Sequence, residues 1–205
     1  DSISYFNLRQ IENIRKTGFP IFNDPLSYSG RFYVFLPLFH YVIALFGLIL
    51  PLNLAVTIIP NILISLLVLV VFFISQEMTK NAEASLVAAG ISGFLPILFL
   101  STVTTISIYT LVMPLSFAVL LALMKVTPDS RSITLFMILI ILMVLTDLSI
   151  IVLLFGFFVY LFLGWLVKLD QEKTDVELIY ASSLVVIFFS FLIFKCLFIT
   201  YGPNM

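Results

Sequence analysis

The side chains able to do chemistry gather at one end of this chain. Asp1, Arg9, Glu12, Asp24, Arg31 and His40 fall within the first forty residues, and the next charged residue is Glu77. A carboxylate can accept a proton from an attacking hydroxyl or hold a divalent cation. An arginine presents a planar fork that matches phosphate oxygens. Each residue also has a plainer reading, which the sequence leaves open. Asp1 suits a helix-capping position, Arg9 and Arg31 suit interfacial anchors, and Asp24, in "NDPLS", suits an N-cap or an Asx turn ahead of Pro25. His40 is costly at mid-bilayer and suits a satisfied polar group at an interface. No P-loop, paired zinc-ligand spacing, serine nucleophile elbow or haem motif appears.

The rest of the chain is of another kind. Of its 205 residues 62% are apolar and 10% charged, and the mean hydropathy is +1.23, which is the composition of an integral membrane protein. A net charge of −1 offers no basic excess to nucleic acid. The lone Cys196 lies in an apolar run, where no disulfide framework is possible. The chain starts at Asp1 without an initiator Met, as a fragment or processed product would, so further sequence before residue 1 is expected.

A bilayer core needs about 20 apolar residues per helix, with every main-chain group bonded inside the segment. The apolar runs predict an all-α integral membrane protein with about six spans, at 54–76, 83–100, 107–125, 132–146, 148–168 and 177–200. Thr146-Asp147 marks a tight hairpin between two of them. Lys80, Lys125, Arg131, Lys168 and Lys173 then share the inner face. Residues 1–53 form an external loop if the run at 34–48 lies in the interface, as Pro37 and His40 suggest. Ahead of it an amphipathic helix is predicted over 2–17. Arg9, Glu12, Asn13 and Lys16 lie on one face, Leu8, Ile11 and Ile14 on another, and Gly18 and Pro20 stop it. The small side chains Ala84, Ala88, Ala89, Ser92 and Gly93 read as a helix-packing face, and Lys195 as a snorkelling residue.

The opening stretch, "DSISYFNLRQIENIRKTGFPIFNDPLSYSGRFYVFLPLFHYVIALFG", resembles the first external loop of the GT-C superfamily of polytopic glycosyltransferases. That family includes oligosaccharyltransferase catalytic subunits and protein mannosyltransferases. Its string of an Asp, an aromatic pair, a His or Asn and an Arg is matched by Asp1, Tyr5, Phe6, Asn7 and Arg9. Gly18-Phe19-Pro20 stands where the family has a turn, and "FLPLFHYVIALFG" resembles its interfacial helix. "NAEASLVAAGISGFLP" and "VLTDLSIIVLLFGFFVYLFL" are similar to later helices of the family.

The resemblance implies a GT-C-like bundle that moves a sugar from a polyprenyl-phosphate carrier on the external or lumenal face of the plasma membrane or endoplasmic reticulum. It makes Asp1 the catalytic carboxylate and Tyr5, Arg9, Asp24, Arg31 and His40 candidate substrate-binding residues. The bilayer, the lipid-linked sugar and other membrane proteins would be the partners. Metal-dependent members carry a second acidic motif in the second external loop, where this chain has "STVTTISIYT" without a carboxylate. A divalent cation, Mg or Mn, would therefore have Asp1 as its one carboxylate there, a poor set for a hard cation.

Overall fold

The computed structural model describes residues 2–24, 26, 30–32, 35–95, 105–125, 130–147, 149, 150, 152, 153, 155, 156 and 159, with the main chain alone at Ser2, Arg31, Phe32 and Ser130. Six helices account for most of them: α1 (Ser2–Thr17), α2 (Leu38–Phe46), α3 (Leu52–Thr79), α4 (Ala82–Gly93), α5 (Tyr109–Met124) and α6 (Ser130–Thr146). A small antiparallel ribbon, β1 (Asn23–Asp24) against β2 (Arg31–Phe32), lies between α1 and α2.

The helix ends follow from local chemistry. Gly18, at φ +81°, closes α1 with its N–H on the Ile14 carbonyl at 2.8 Å, a left-handed cap that glycine adopts without a Cβ clash. Arg15 and Lys16 sit in that last turn, where the helix dipole favours cations. Pro37 precedes α2 and Pro51 precedes α3, positions where a missing N–H costs nothing. Lys80 ends α3 in a left-handed conformation, φ 54°, and the next residue, Asn81, opens α4. Its side chain accepts from the Glu83 N–H at 2.9 Å. The two helices are thus joined by a two-residue hairpin.

Two apolar clusters hold the elements together. Ile11 and Ile14 of α1 pack with Phe39, Ile43 and Ala44 of α2 and with Ala55 and Ile59 of α3. Val112, Val119 and Ala122 of α5 pack with Phe136, Ile140, Met143 and Val144 of α6 and with Ile150. Between them α3 meets α2, α4 and α5. The α3–α4 approach is close because the facing α4 residues are small. Ser85, Ala89 and Ser92 are buried there, and a Cβ on Gly93 would come within 3.2 Å of Val68 Cγ2. Ala84, by contrast, is exposed.

The described residues are predominantly helical, as expected, and of the expected spans helix length supports one. Among the described residues one helix, α3, is long and apolar enough to cross a membrane. α4 stops at Gly93, short of the predicted 83–100. α5 and α6, at 16 and 17 residues, reach about 24 to 26 Å at 1.5 Å per residue, less than a hydrocarbon core of about 30 Å. The predicted span at 148–168 lies mostly, and that at 177–200 wholly, outside the described residues. The interfacial run predicted over 34–48 is helical from Leu38 to Phe46 only. Its start follows Pro37, and its end is set by Gly47, whose N–H bonds the Ile43 carbonyl at 2.8 Å.

In α3, 17% of the most apolar stretch is buried. Leu54, Ile58, Ile62, Leu66, Leu69 and Phe73, spaced by three or four residues, form an exposed stripe along one side. A core helix of a water-soluble protein would bury such a stripe. In a Cys196→Ser background, single cysteines replacing the exposed Phe19 and Met78 are expected to react with a membrane-impermeant maleimide from opposite sides. Labelling of both from one side would show that α3 does not cross.

Candidate functional site at the α1–α2 junction

The inward face of α1 carries Asn7, Gln10, Ile11 and Ile14, all buried and spaced as one helical stripe. Two of the four are amides, so each must find partners inside the protein. Gln10 reaches across to the chain after the cap. Its Nε2 donates to the Ile21 carbonyl at 2.9 Å, and its Oε1 accepts from the Ile21 N–H at 2.7 Å. The side chain thereby replaces a strand neighbour for one residue. Asn13 Nδ2 donates to the Phe19 carbonyl at 2.7 Å and Tyr41 Oη to the Gly18 carbonyl at 2.9 Å, so the turn is held from α1 and α2 together.

Asn7 links three segments. Its Nδ2 donates to the Ile106 carbonyl at 2.6 Å, while the Ile106 N–H donates to Ser4 Oγ at 3.2 Å. Both main-chain groups of Ile106, just ahead of α5, are therefore bonded by the first two turns of α1. The orientation of the amide leaves Asn7 Oδ1 facing His40 Nε2 at 3.0 Å. Facing an acceptor, Nε2 must carry a proton and donate; burial then favours the neutral form, with Nδ1 bare. Nδ1 is buried without a hydrogen-bond partner. The rings of Phe35 and Phe39 lie roughly perpendicular to the imidazole, with centroids 5.2 and 5.4 Å away. Burial pushes the His40 pKa down from 6.5 to about 4, because an imidazolium here would lose its hydration.

The other sequence-derived candidates lie as follows. Asp1 falls outside the described residues. Tyr5 is 71% exposed and points away from the junction. Arg9 forms an ion pair with the buried Asp24, whose Oδ1 also accepts from the Leu26 N–H at 3.0 Å, an Asx turn. That pair fastens the ribbon to α1 and commits the Arg9 guanidinium to a carboxylate. The Arg31 main chain is the ribbon partner of Asp24, and its side chain lies outside the described part. His40 is buried in the junction and bonded to a side chain.

Sequence reasoning missed Ser4 and Gln10 and gave Asn7 no partner. The signal was present, since amides at positions 7 and 10 share a face with Ile11 and Ile14, where a simple apolar stripe would exclude them. Among the described residues no three His, Cys, Asp or Glu side chains come together to hold a metal ion. The Asp24 carboxylate, engaged by Arg9, does not fit as a ligand. Comparison with protein-family models, curated proteins and solved structures returned no match.

Replacing Gln10 by Leu keeps the bulk but strips the Ile21 N–H and carbonyl of their partners, at a cost of about 1–3 kcal/mol. The Ile21 amide is expected to exchange with deuterium at least about tenfold faster, with α3 amides unchanged. Unaltered exchange at Ile21 would show that the clamp does not order the turn.

Proposed function

We propose that the chain is the membrane part of a GT-C-type glycosyltransferase, moving a sugar from a polyprenyl-phosphate carrier to an acceptor on the external or lumenal face. The observation that supports this is the bonding of the first two turns of α1 to Ile106 through Ser4 and Asn7. Asp1 precedes Ser4 by three positions in the sequence, and a reacting carboxylate works only where the element carrying it is rigidly seated. The same bonds bring the opening loop onto the segment that this reading makes the second external loop. A bundle of about six spans belongs to the reading as well, with α3 the one span that helix length supports.

On this reading the acceptor oxygen forms a bond to the anomeric carbon as the bond from that carbon to the carrier phosphate oxygen breaks. The acceptor's proton passes to the Asp1 carboxylate, and the phosphate leaves with the bonding electron pair. Negative charge growing on the phosphate needs a cation beside it. Arg9 meets that need only by leaving Asp24, so the role falls first to Arg31. Tyr5, exposed on α1, is left to contact the sugar or its lipid. A divalent cation would assist the departing phosphate, but "STVTTIS" adds no carboxylate to Asp1, and one carboxylate is a poor set for a hard cation.

The Arg9–Asp24 pair favours a second reading, a non-catalytic membrane subunit or scaffold of the same fold. Two candidate substrate groups satisfy each other in it, and the opening segment then serves as an anchor for partner membrane proteins.

Asp1→Asn keeps the shape of the side chain and removes its charge. Sugar transfer from a polyprenyl-phosphate donor is expected to fall about 10²- to 10⁴-fold with expression unchanged, and wild-type transfer should tolerate EDTA. Undiminished transfer by Asp1→Asn would leave the scaffold reading standing. Strong EDTA inhibition reversed by manganese would require a ligand set beyond Asp1.

A further inference from the structure

His40 is a buried titratable side chain to which the proposed chemistry gives no task, and it sits where three segments meet. Its bond to Asn7 is directional. Asn7 spends Nδ2 on Ile106 and therefore offers the ring an acceptor. The neutral Nε2–H tautomer satisfies that acceptor. A proton added at Nδ1 would leave the bond to Asn7 in place but would be a buried, charged donor with no hydrogen-bond partner among the described residues, beside the rings of Phe35 and Phe39. No rotation of the ring improves matters, since flipping it would turn Nδ1 toward Asn7 and strand Nε2 instead.

We infer that His40 is the positioning residue of the proposed site, holding the first turns of α1 on Ile106 through Asn7 while its ring is neutral and releasing them when the ring is protonated. His40 acts through Asn7 and touches no reacting atom. The inference rests on the glycosyltransferase reading only for the meaning of the docked state; the docking itself is independent of it.

The charged and titratable groups of the surrounding elements do not offset an imidazolium. α2 carries no charged residue besides His40, and α3 carries none before Glu77. The segment 105–124 carries none, its one titratable side chain being Tyr109. On α1, Arg9, Glu12, Arg15 and Lys16 lie off the Asn7 face, and Arg9 is engaged with Asp24 in the ribbon. Tyr41 donates outward to Gly18. Asp1 and the Arg31 side chain fall outside the described residues.

The sign of the pH effect follows. Because burial lowers the folded-state pKa to about 4 from 6.5, the undocked state binds more protons than the docked one between those values. Docking is therefore fully stable above pH 6.5, weakens as pH falls through this window, and weakens no further below about 4. The undocked share is expected to rise roughly fifty- to hundredfold between pH 7.5 and 4.5.

The test uses spin labels on cysteines replacing the exposed Ile3 and Met124 in a Cys196→Ser protein held in lipid nanodiscs, with distances read by double electron–electron resonance. The distribution should be narrow at pH 7.5 and broadened at pH 4.5. With His40→Gln, which supplies an amide donor but does not titrate, it should be the same at both pH values. With Asn7→Leu, which removes the acceptor, it should be broad at both. A pH response that persists in His40→Gln, a wild-type distribution unmoved at pH 4.5, or a narrow Asn7→Leu distribution would each overturn the inference. None of these readouts depends on sugar transfer, so a chain inactive in that assay still decides it.

Discussion

Burial of amide side chains on the inner face of α1 is the constraint on which the N-terminal lobe depends. Asn7 and Gln10 are as deeply buried as Ile11, and an unbonded amide in such a place costs about 1–3 kcal/mol. Their partners are main-chain groups of non-helical segments, Ile106 and Ile21, which have no helical hydrogen bonds of their own to make there. Each satisfied amide therefore places a loop. Apolar contacts alone would let α1 slide or rotate on α2 and α3, whereas these directional bonds admit one register. The lobe is specified by its polar atoms and stabilised by its apolar ones.

Much of this organisation is legible in the residues. Gly18 marks the end of α1, Pro37 the start of α2, and the small side chains around Ala89 a close helix contact. What escapes is whatever depends on tertiary pairing. Arg9 and Asp24 are separated by a helix end and a turn, so their spacing carries no sign that they meet. Arg9, Glu12, Asn13 and Lys16 do share a face, yet the opposite face is defined by Asn7 and Gln10 as much as by Ile11 and Ile14. Span lengths are hard to read from sequence for a different reason. Apolar run length measures hydropathy, while helix length also depends on where the main chain breaks, as it does after Gly93. The catalytic assignment of Asp1 rests on the resemblance, since Asp1 itself lies outside the described residues.

The two ends of α3 differ in how they are held. At its start the lobe is joined through buried, directional bonds and the Ile11–Phe39–Ala55 cluster. At its finish Glu77 pairs with Lys80 and, at 3.7 Å, with Lys125 from α5, whose ammonium stands 6.0 Å from the Phe73 ring centre. These groups are largely exposed, so their attraction is weak in water and weaker in salt. The lobe end is thereby the more sharply specified of the two, as suits the end to which chemistry is assigned. The opposite end marks a boundary by charge.

The length of α3 carries a mechanical consequence. Twenty-eight residues extend about 42 Å, against a hydrocarbon core of about 30 Å. As a span, α3 can project its polar end, Ser75–Thr79, beyond the core. Its exposed apolar stripe from Leu54 to Phe73, about 29 Å long, just fills that core, and the helix tilts where the bilayer is thinner than the stripe. Tilt is therefore coupled to bilayer thickness. Because α2 packs on the first turns of α3 and α1 packs on α2, the lobe is carried as a lever on the tilting helix. A thinner membrane would lay α3 over and swing the lobe toward the headgroups, and a thicker one would raise it, so lipid composition sets the height at which the lobe meets anything held in the bilayer.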